Sequence, residues 1–591
     1  MLLVFTSAAA TRHRYYWANL LGSNVFNDME NWVDETFSAS GNPYYYFPSA
    51  ASGETVTMGA DFTAYLFYFT NEVDVGTTTL DFNGQMLALT GKNHWTHYQN
   101  ASPIVLKNGE FKPNATQRYA VFGREDGKPV EMRFERMIIS ANDFASADYA
   151  KTYGPCRFTF KDSFATNFPA SLATTSDSEM TFDNSTYLAY AISFASQATN
   201  ATMRFVNGAK WMTSNSAREW IKTGPGNANC RIIMSPGTKS NSKIVIEGTN
   251  NVLAVTNCVL SPVSVSGLGN LALLDNVDLE YTPAAGAGLS IGGTNSEIRL
   301  SGNLDGINMF RAWYGSGSKG ARLVFDDNTV MTNYTSFAPF FQRAVDPVLS
   351  VGTNCYVKFH TLFMNAYEKT GGWHGVDSTN ALIYVGRGSK VELVRIDYAG
   401  MGGALNGHNA KFVLDDGQLL YTGGKGSTVI YRGVTIEMKG DDAAFRAQGD
   451  GGSGDVPIRC GLDAGDRDEP TTLAYRPGPL AYHGVAPFWA KTLSSSYMTS
   501  NTVLKVDLSD YIPSQTTRHH LIPLIKGNPS KWATASDVAG KPKPDVEWLT
   551  KNLTIEPAND RVSNARIVYD ADLDAISLAF ELNFGLMILV R

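Results

Sequence analysis

A short alternating unit returns along the middle of this chain and leaves few folds open to it. Each copy is apolar–x–apolar, then Asp, Asn or Gly, then a second alternating stretch. The clearest copies are 157–164 (RFTFKDSF), 179–188 (EMTFDNSTYL), 202–212 (TMRFVNGAKWM), 243–255 (KIVIEGTNNVLAV), 270–281 (NLALLDNVDLEY), 297–307 (EIRLSGNLDGI) and 322–331 (RLVFDDNTVM). Later copies are 390–398, 411–421 and 434–445. The first seven starts lie 22, 23, 41, 27, 27 and 25 residues apart, and the long interval holds one more strand-like segment, RIIM at 231–234. Alternation marks strands, and a period of 20–50 residues marks a stacked repeat.

The period predicts a β-solenoid whose inward residues stack coil on coil: Phe158/Phe160, Met180/Phe182, Met203/Phe205, Ile244/Ile246. Asp, Asn and Gly after each strand suit the corners, because they tolerate the left-handed region and bond their own backbone. Leucine-rich repeats share the period, but their LxxLxL pattern and helices are missing. A β-sandwich would show turn signals every 8–12 residues. The expected fold is all-β: a right-handed parallel β-helix over 126–450. An aromatic-rich N-terminal β cap is expected over 11–125, a Gly/Pro-rich linker with loops over 451–500, and a small C-terminal antiparallel β module over 501–591. That module is too short for the eight or more strands of a self-export barrel.

Composition removes several function classes. Charged residues are 18% of the chain, against ~25% in typical soluble proteins. With 31 Phe, 27 Tyr and 10 Trp, the chain is not disordered. Its 49 Lys+Arg against 56 Asp+Glu, without a basic cluster, argue against a nucleic-acid partner. No run approaches the ~18 apolar residues of a membrane-spanning helix. Residues 1–10 (MLLVFTSAAA) read as a shortened secretion signal, with a first strand as the alternative. The five cysteines (Cys156, Cys230, Cys258, Cys355, Cys460) contain no CxxC pair and read as buried small hydrophobes. Cys230 and Cys258 are the one pair spaced like a coil, which leaves a bridge between them open.

In pattern the chain resembles large secreted or cell-surface β-helix proteins of the pectate-lyase-like superfamily. Its last residues, 585–591 (GLMILVR), are similar to the GLxIxxR end of Verrucomicrobia- and Lentisphaerae-type surface proteins. Asn31-Trp32-Val33 followed by Gly41-Asn42-Pro43 is similar to the NW…GxP start of passenger domains in such proteins. The resemblance implies extracellular placement in carbohydrate-rich surroundings and transfers no catalytic residue.

Candidate chemistry is sparse. Glycoside hydrolysis needs two carboxylates at a set separation. Asp pairs follow strands at Asp326-Asp327, Asp415-Asp416 and Asp441-Asp442. The last, in KGDDAAF, is similar to the GDD motif of polygalacturonases. The accompanying NTD and RIK motifs are missing, and Gly407-His408 precedes the pair instead of following it. Such pairs are also ordinary turn residues. His374, beside Trp373 in a Gly-rich loop, is a candidate for a glycan groove. His94 and His97 would face opposite sides of a strand, and His519-His520 reads as a surface strand end. Asp570, Asp572, Asp574 and Glu581 have the 1, 3, 5, 12 spacing of a calcium loop, with Ala575 where Gly is required. No resident metal is expected, and Ca²⁺ enters only if the chain is a lyase. The sequons at Asn100, Asn114, Asn184, Asn200, Asn333 and Asn552 count only in a eukaryotic secretory host.

The run Tyr44-Tyr45-Tyr46-Phe47 admits three roles: packing in the cap, contact with protein, or contact with sugar rings. The reading these features favour is a non-enzymatic, secreted structural or adhesive protein of the cell surface that self-associates into a homo-oligomer or polymer. A surface polysaccharide is a second partner class. The alternatives are a polysaccharide lyase or glycoside hydrolase with a groove along the coils, and a phage tailspike-like trimer.

Overall fold

The structure is a computed structural model and describes residues 12–38, 43–47, 53–71, 76–90, 96–112, 119–140, 149–166, 168, 175–189, 192–213, 220–240, 243–260, 262–279, 289–304, 311–314, 318–332, 338–341, 344–359, 363–364, 379–393, 404–405, 409–421, 428–431, 433–447, 458–462, 470–479, 485–489, 497–498, 501–511, 518–527, 546–556 and 562–583. The chain is a nearly all-β, parallel β-solenoid and divides into two compact units. The first unit is Met1–Val263 with Asn270–Ala272 and Thr282–Gly286, and the second holds the remaining residues to Arg591.

In the first unit the described strands fall into three ladders. One ladder runs through Val130–Ser140, Cys156–Lys161, Glu179–Asp183, Thr202–Val206, Arg231–Met234 and Val252–Thr256, every pair parallel and in register. A second runs through Phe164–Thr166, Thr186–Ala189, Lys210–Thr213 and Lys239–Ser240. The third joins Ile192–Ser193, Trp220–Lys222 and Lys243–Ile246. Period-2 alternation puts one face of each strand inside, and the parallel register places like on like. Phe134, Phe160, Phe182 and Phe205 are each fully buried and stack along the coils, with ring centroids 4.7, 4.9 and 5.1 Å apart and planes within 12°. Pairs of this kind contribute roughly 0.5–1.5 kcal/mol beyond their area burial.

The repeat differs from its sequence reading in one place. Met203 and Phe205 stack on Ile232 and Met234, not on Ile244 and Ile246. Ile244 lies in the third ladder, beside Ile221. The 41-residue interval is therefore an extra coil, whose RIIM strand belongs to the first ladder.

Parallel ladders also reach past both ends of the 126–450 span. Thr55–Thr57, Thr78–Asp81 and Ile104–Lys112 already pair in parallel. Tyr44–Phe47 lies parallel between Arg12–Trp17 and Leu66–Asn71, while Trp32–Ser38 runs antiparallel to Arg12–Trp17. The aromatic strands obey the same alternation as the coils, so they stack as coils do. In the second unit a ladder from Glu297–Ser301 continues through Val434–Lys439, Thr471–Arg476 and Thr502–Asp507 to Leu553–Glu556. It crosses the 451–500 stretch. The C-terminal module is a mixed sheet: His519–Lys526 pairs in parallel with Phe488–Trp489 and antiparallel with Ala575–Leu582, which turns back on Val562–Asp570. Among the described residues no helix is long and apolar enough to cross a membrane.

Corners use the left-handed region, coil after coil. In the first unit one corner holds Asn108, Arg136, Asp162, Asn184, Asn207 and Asn257, all with φ between 46° and 61°. Another holds Asp177, Asn200, Asn229 and Asn250. Their side chains tie neighbouring coils: Asn184 Nδ2 donates to Asp162 Oδ1 at 2.7 Å and Asn200 Nδ2 to Asp177 Oδ1 at 3.1 Å. Inside the corners Cys230 N–H donates to Asn251 Oδ1 and Asn251 N–H to Asn270 Oδ1, both at 2.7 Å. Buried backbone donors are thereby satisfied where the ladder turns.

Two substitutions test this packing. Phe160→Ala should lower the unfolding free energy by about 3–5 kcal/mol in denaturant titrations followed by circular dichroism. Asn184→Val should cost about 1–2 kcal/mol through its left-handed backbone, and Asn184→Gly far less.

Candidate functional site

The candidate carboxylates sit at corners of the second unit. Asp415 ends the Ala410–Asp415 strand and aligns with Lys439 on the next coil. Its Oδ2 accepts from Tyr384 Oη at 2.9 Å, and burial followed by this bond pushes the Tyr384 phenol up. Asp416 is left-handed, with φ at 48°, and its N–H donates to the Lys439 carbonyl at 2.7 Å. Its carboxylate accepts from the Asp442 N–H at 3.3 Å and lies 3.3 Å from Arg387 Nε. The coil above must carry glycine there: a Cβ on Gly440 would fall 1.7 Å from Asp416 Oδ1. Asp441 packs beneath Gly478, whose Cβ would lie 2.6 Å from its Cγ, and Asp442 is exposed. Asp326-Asp327 plays the same part, with Asp326 paired to Arg299 and Asp327 Oδ1 accepting from Thr353 N–H at 2.6 Å. These acids are corner residues that bind the backbone and cations of adjacent coils.

The other candidates separate in the same way. His374 and Trp373 lie outside the described residues, as does His94. His519 approaches Glu581 at 3.5 Å, and His520 is buried against Phe580 with Tyr511 Oη 3.0 Å from its Nδ1. The calcium-like spacing is a tight hairpin turn. Asp570 Oδ1 accepts from Asp572 and Leu573 N–H at 2.9 and 3.2 Å, and Tyr569 Oη donates to Asp574 Oδ1 at 2.8 Å. Among the described residues no group of three or more His, Cys, Asp or Glu side chains converges as a metal site. Cys156, Cys230, Cys258 and Cys355 are buried free thiols, so no bridge joins Cys230 to Cys258. Burial pushes the Cys156 thiol up to about 12.

The Tyr44–Phe47 run does not act as one surface. Tyr45 and Phe47 point inward, into a cluster with Trp17, Phe26, Trp32, Phe67 and Phe69. Tyr46 points out, between Tyr16 and Tyr68 on neighbouring strands, with both centroid distances 4.7 Å and planes 15° and 8° apart. The three rings use their faces on one another, so the row offers edges and hydroxyls outward. Burial, then the nearby Tyr15 and Asp34, pushes the Tyr45 phenol up to about 12, and burial also raises Tyr46. The motifs RYYW, YYYF and FYF carry the signal for this row once per strand.

A second surface was also missed. Outward residues of adjacent strands in the first unit form rows: Glu131, Arg133, Glu135; Arg157, Thr159, Lys161; Glu179, Thr181, Asp183. They surround a shallow groove of about 390 Å³ over Thr159 and Thr181. Arg133 pairs with Glu131 at 2.7 Å and Arg204 with Glu179 at 2.6 Å. In the second unit the Arg446 guanidinium and the Lys526 ammonium lie 4.7 and 5.4 Å from the Trp489 ring.

The Tyr45 shift has a measurable consequence. Its folded phenol ionises later than an unfolded one, so the stability it contributes is complete below pH ~10 and lost as pH rises toward about 12. Stability measured by denaturant midpoint should fall across that window, and less steeply in Tyr45→Phe.

Comparison of the chain with protein-family models, with curated proteins and with solved structures gives no match.

Proposed function

We propose that the chain is a secreted structural or adhesive β-solenoid of the cell surface that acts by associating with copies of itself. The observation that carries this reading is the pattern of its outer faces. The stacked Tyr16–Tyr46–Tyr68 row repeats one side chain at the strand spacing, and the charged rows around Thr159 repeat an alternation of sign at the same spacing. A repeated array suits binding to another repeated array, because each added contact falls in register. Two of the acids a hydrolase could use are engaged at corners: Asp416 holds the Asp442 N–H and Arg387, and Asp415 holds Tyr384. Low overall charge weakens repulsion between copies.

Light scattering and electron microscopy of the purified chain should show mass rising with concentration, as discrete assemblies, layers or filaments. A monomer at every concentration that binds no surface component would end this reading. Polysaccharide turnover abolished by Asp442→Asn would replace it with the enzyme reading.

A further inference from the structure

We infer that the charged face of the first unit is the contact between two copies of this chain, related by a two-fold axis. The inference rests on the self-association reading and names its surface. The outward column Asp81, Lys107, Glu135, Lys161, Asp183 changes sign at every strand along an unbroken register. The parallel column Glu131, Arg157, Glu179 does the same. The middle column does not alternate in sign: it sets the small Thr159 and Thr181 side by side between Arg133 and Arg204.

A column of alternating sign is antisymmetric about a line drawn between two strands. A two-fold axis lying in the face, parallel to the strands and between Val130–Ser140 and Cys156–Lys161, therefore sets the central charges of both columns against their opposites. Glu131 meets Arg157 of the second copy, Glu135 meets its Lys161, and Lys107 meets its Asp183. Each pair occurs twice, because the contact is isologous. The same operation places Arg133 over Thr159 of the second copy, where the groove of about 390 Å³ is open to receive it. Inside one chain this matching is incomplete. Among the described residues Glu135, Arg157 and Lys161 make no ion pair, although Glu135 and Lys161 are register neighbours. Arg157 and Lys161 are exposed. The other three contact partners are engaged already, Lys107 with Asp81 at 3.3 Å, Glu131 with Arg133, and Asp183 as acceptor from Asn207 Nδ2 at 2.7 Å.

The size of the face sets the strength of the contact. Six strands at ~4.8 Å spacing and five residues at ~3.3 Å give a patch of about 29 by 17 Å. That is below the roughly 800 Å² per partner of a standard stable interface. The pair is accordingly weak, concentration-dependent and sensitive to salt, as exposed ion pairs are.

Sedimentation velocity of the full chain at low and high salt tests this. Wild type should show a monomer–dimer equilibrium that salt dissociates. Glu135→Lys, which sets lysine against Lys161 of the second copy, should weaken dimerisation by roughly tenfold or more. The combined variant Glu135→Lys with Lys161→Glu should restore it, and unchanged circular dichroism and melting temperature show that both variants fold. A dimer indifferent to Glu135→Lys, or one that the combined variant fails to rescue, overturns this face while self-association stands. A wild-type monomer at every salt and concentration overturns both.

Discussion

A parallel β-ladder repeats every ~4.8 Å, and a side chain in a solenoid must tolerate its own kind at that distance. This single spacing governs the rest of the molecule. Aromatic rings meet it by stacking offset and near-parallel, as Phe134, Phe160, Phe182 and Phe205 do. Charges meet it by alternating in sign, because like charges directly opposite on neighbouring strands repel. Asparagine meets it through a side chain that both donates and accepts, which is how Asn251 and Asn270 pass hydrogen bonds from coil to coil. Glycine enters where nothing else fits, as at Gly440 above the Asp416 carboxylate.

The same spacing decides what was legible in the sequence. Inward pairs such as Phe158/Phe160 and Met180/Phe182 announce themselves because alternation is local. Coil assignment is less visible: Lys243–Ile246 and Val252–Thr256 read as one unit, yet a corner at Asn250 puts them in different ladders. The aromatic N-terminal strands read as a separate cap because composition changes there while periodicity does not. Tyr44–Phe47 looked like one cluster, but a strand divides it between inside and outside. The charged face was illegible for a different reason. Its rows come from residues 22 or more apart, and no window of sequence brings Glu135, Lys161 and Asp183 side by side.

Corner chemistry also gives the acidic pairs of this chain a part in the scaffold. A carboxylate at a corner is held by backbone N–H groups and nearby cations, so its position is fixed by the turn. Asp416 and Asp327 make equivalent bonds in different coils. Repetition of an arrangement along a solenoid marks a part of the scaffold, whereas a catalytic centre is a local exception. The Tyr45 phenol follows a related logic: fixed inside the aromatic cluster, it is kept neutral well above physiological pH by its burial.

The antiparallel strands at Trp32–Ser38 and Val562–Asp570 have a consequence for growth. An open parallel edge is a template, and an identical strand arriving from another molecule would extend it, as in amyloid. A strand laid across in the opposite sense changes the hydrogen-bond pattern on offer, and exposed Asp34 and Glu35 add negative charge to the first of these edges. In those two sheets the stack is sealed against templated elongation.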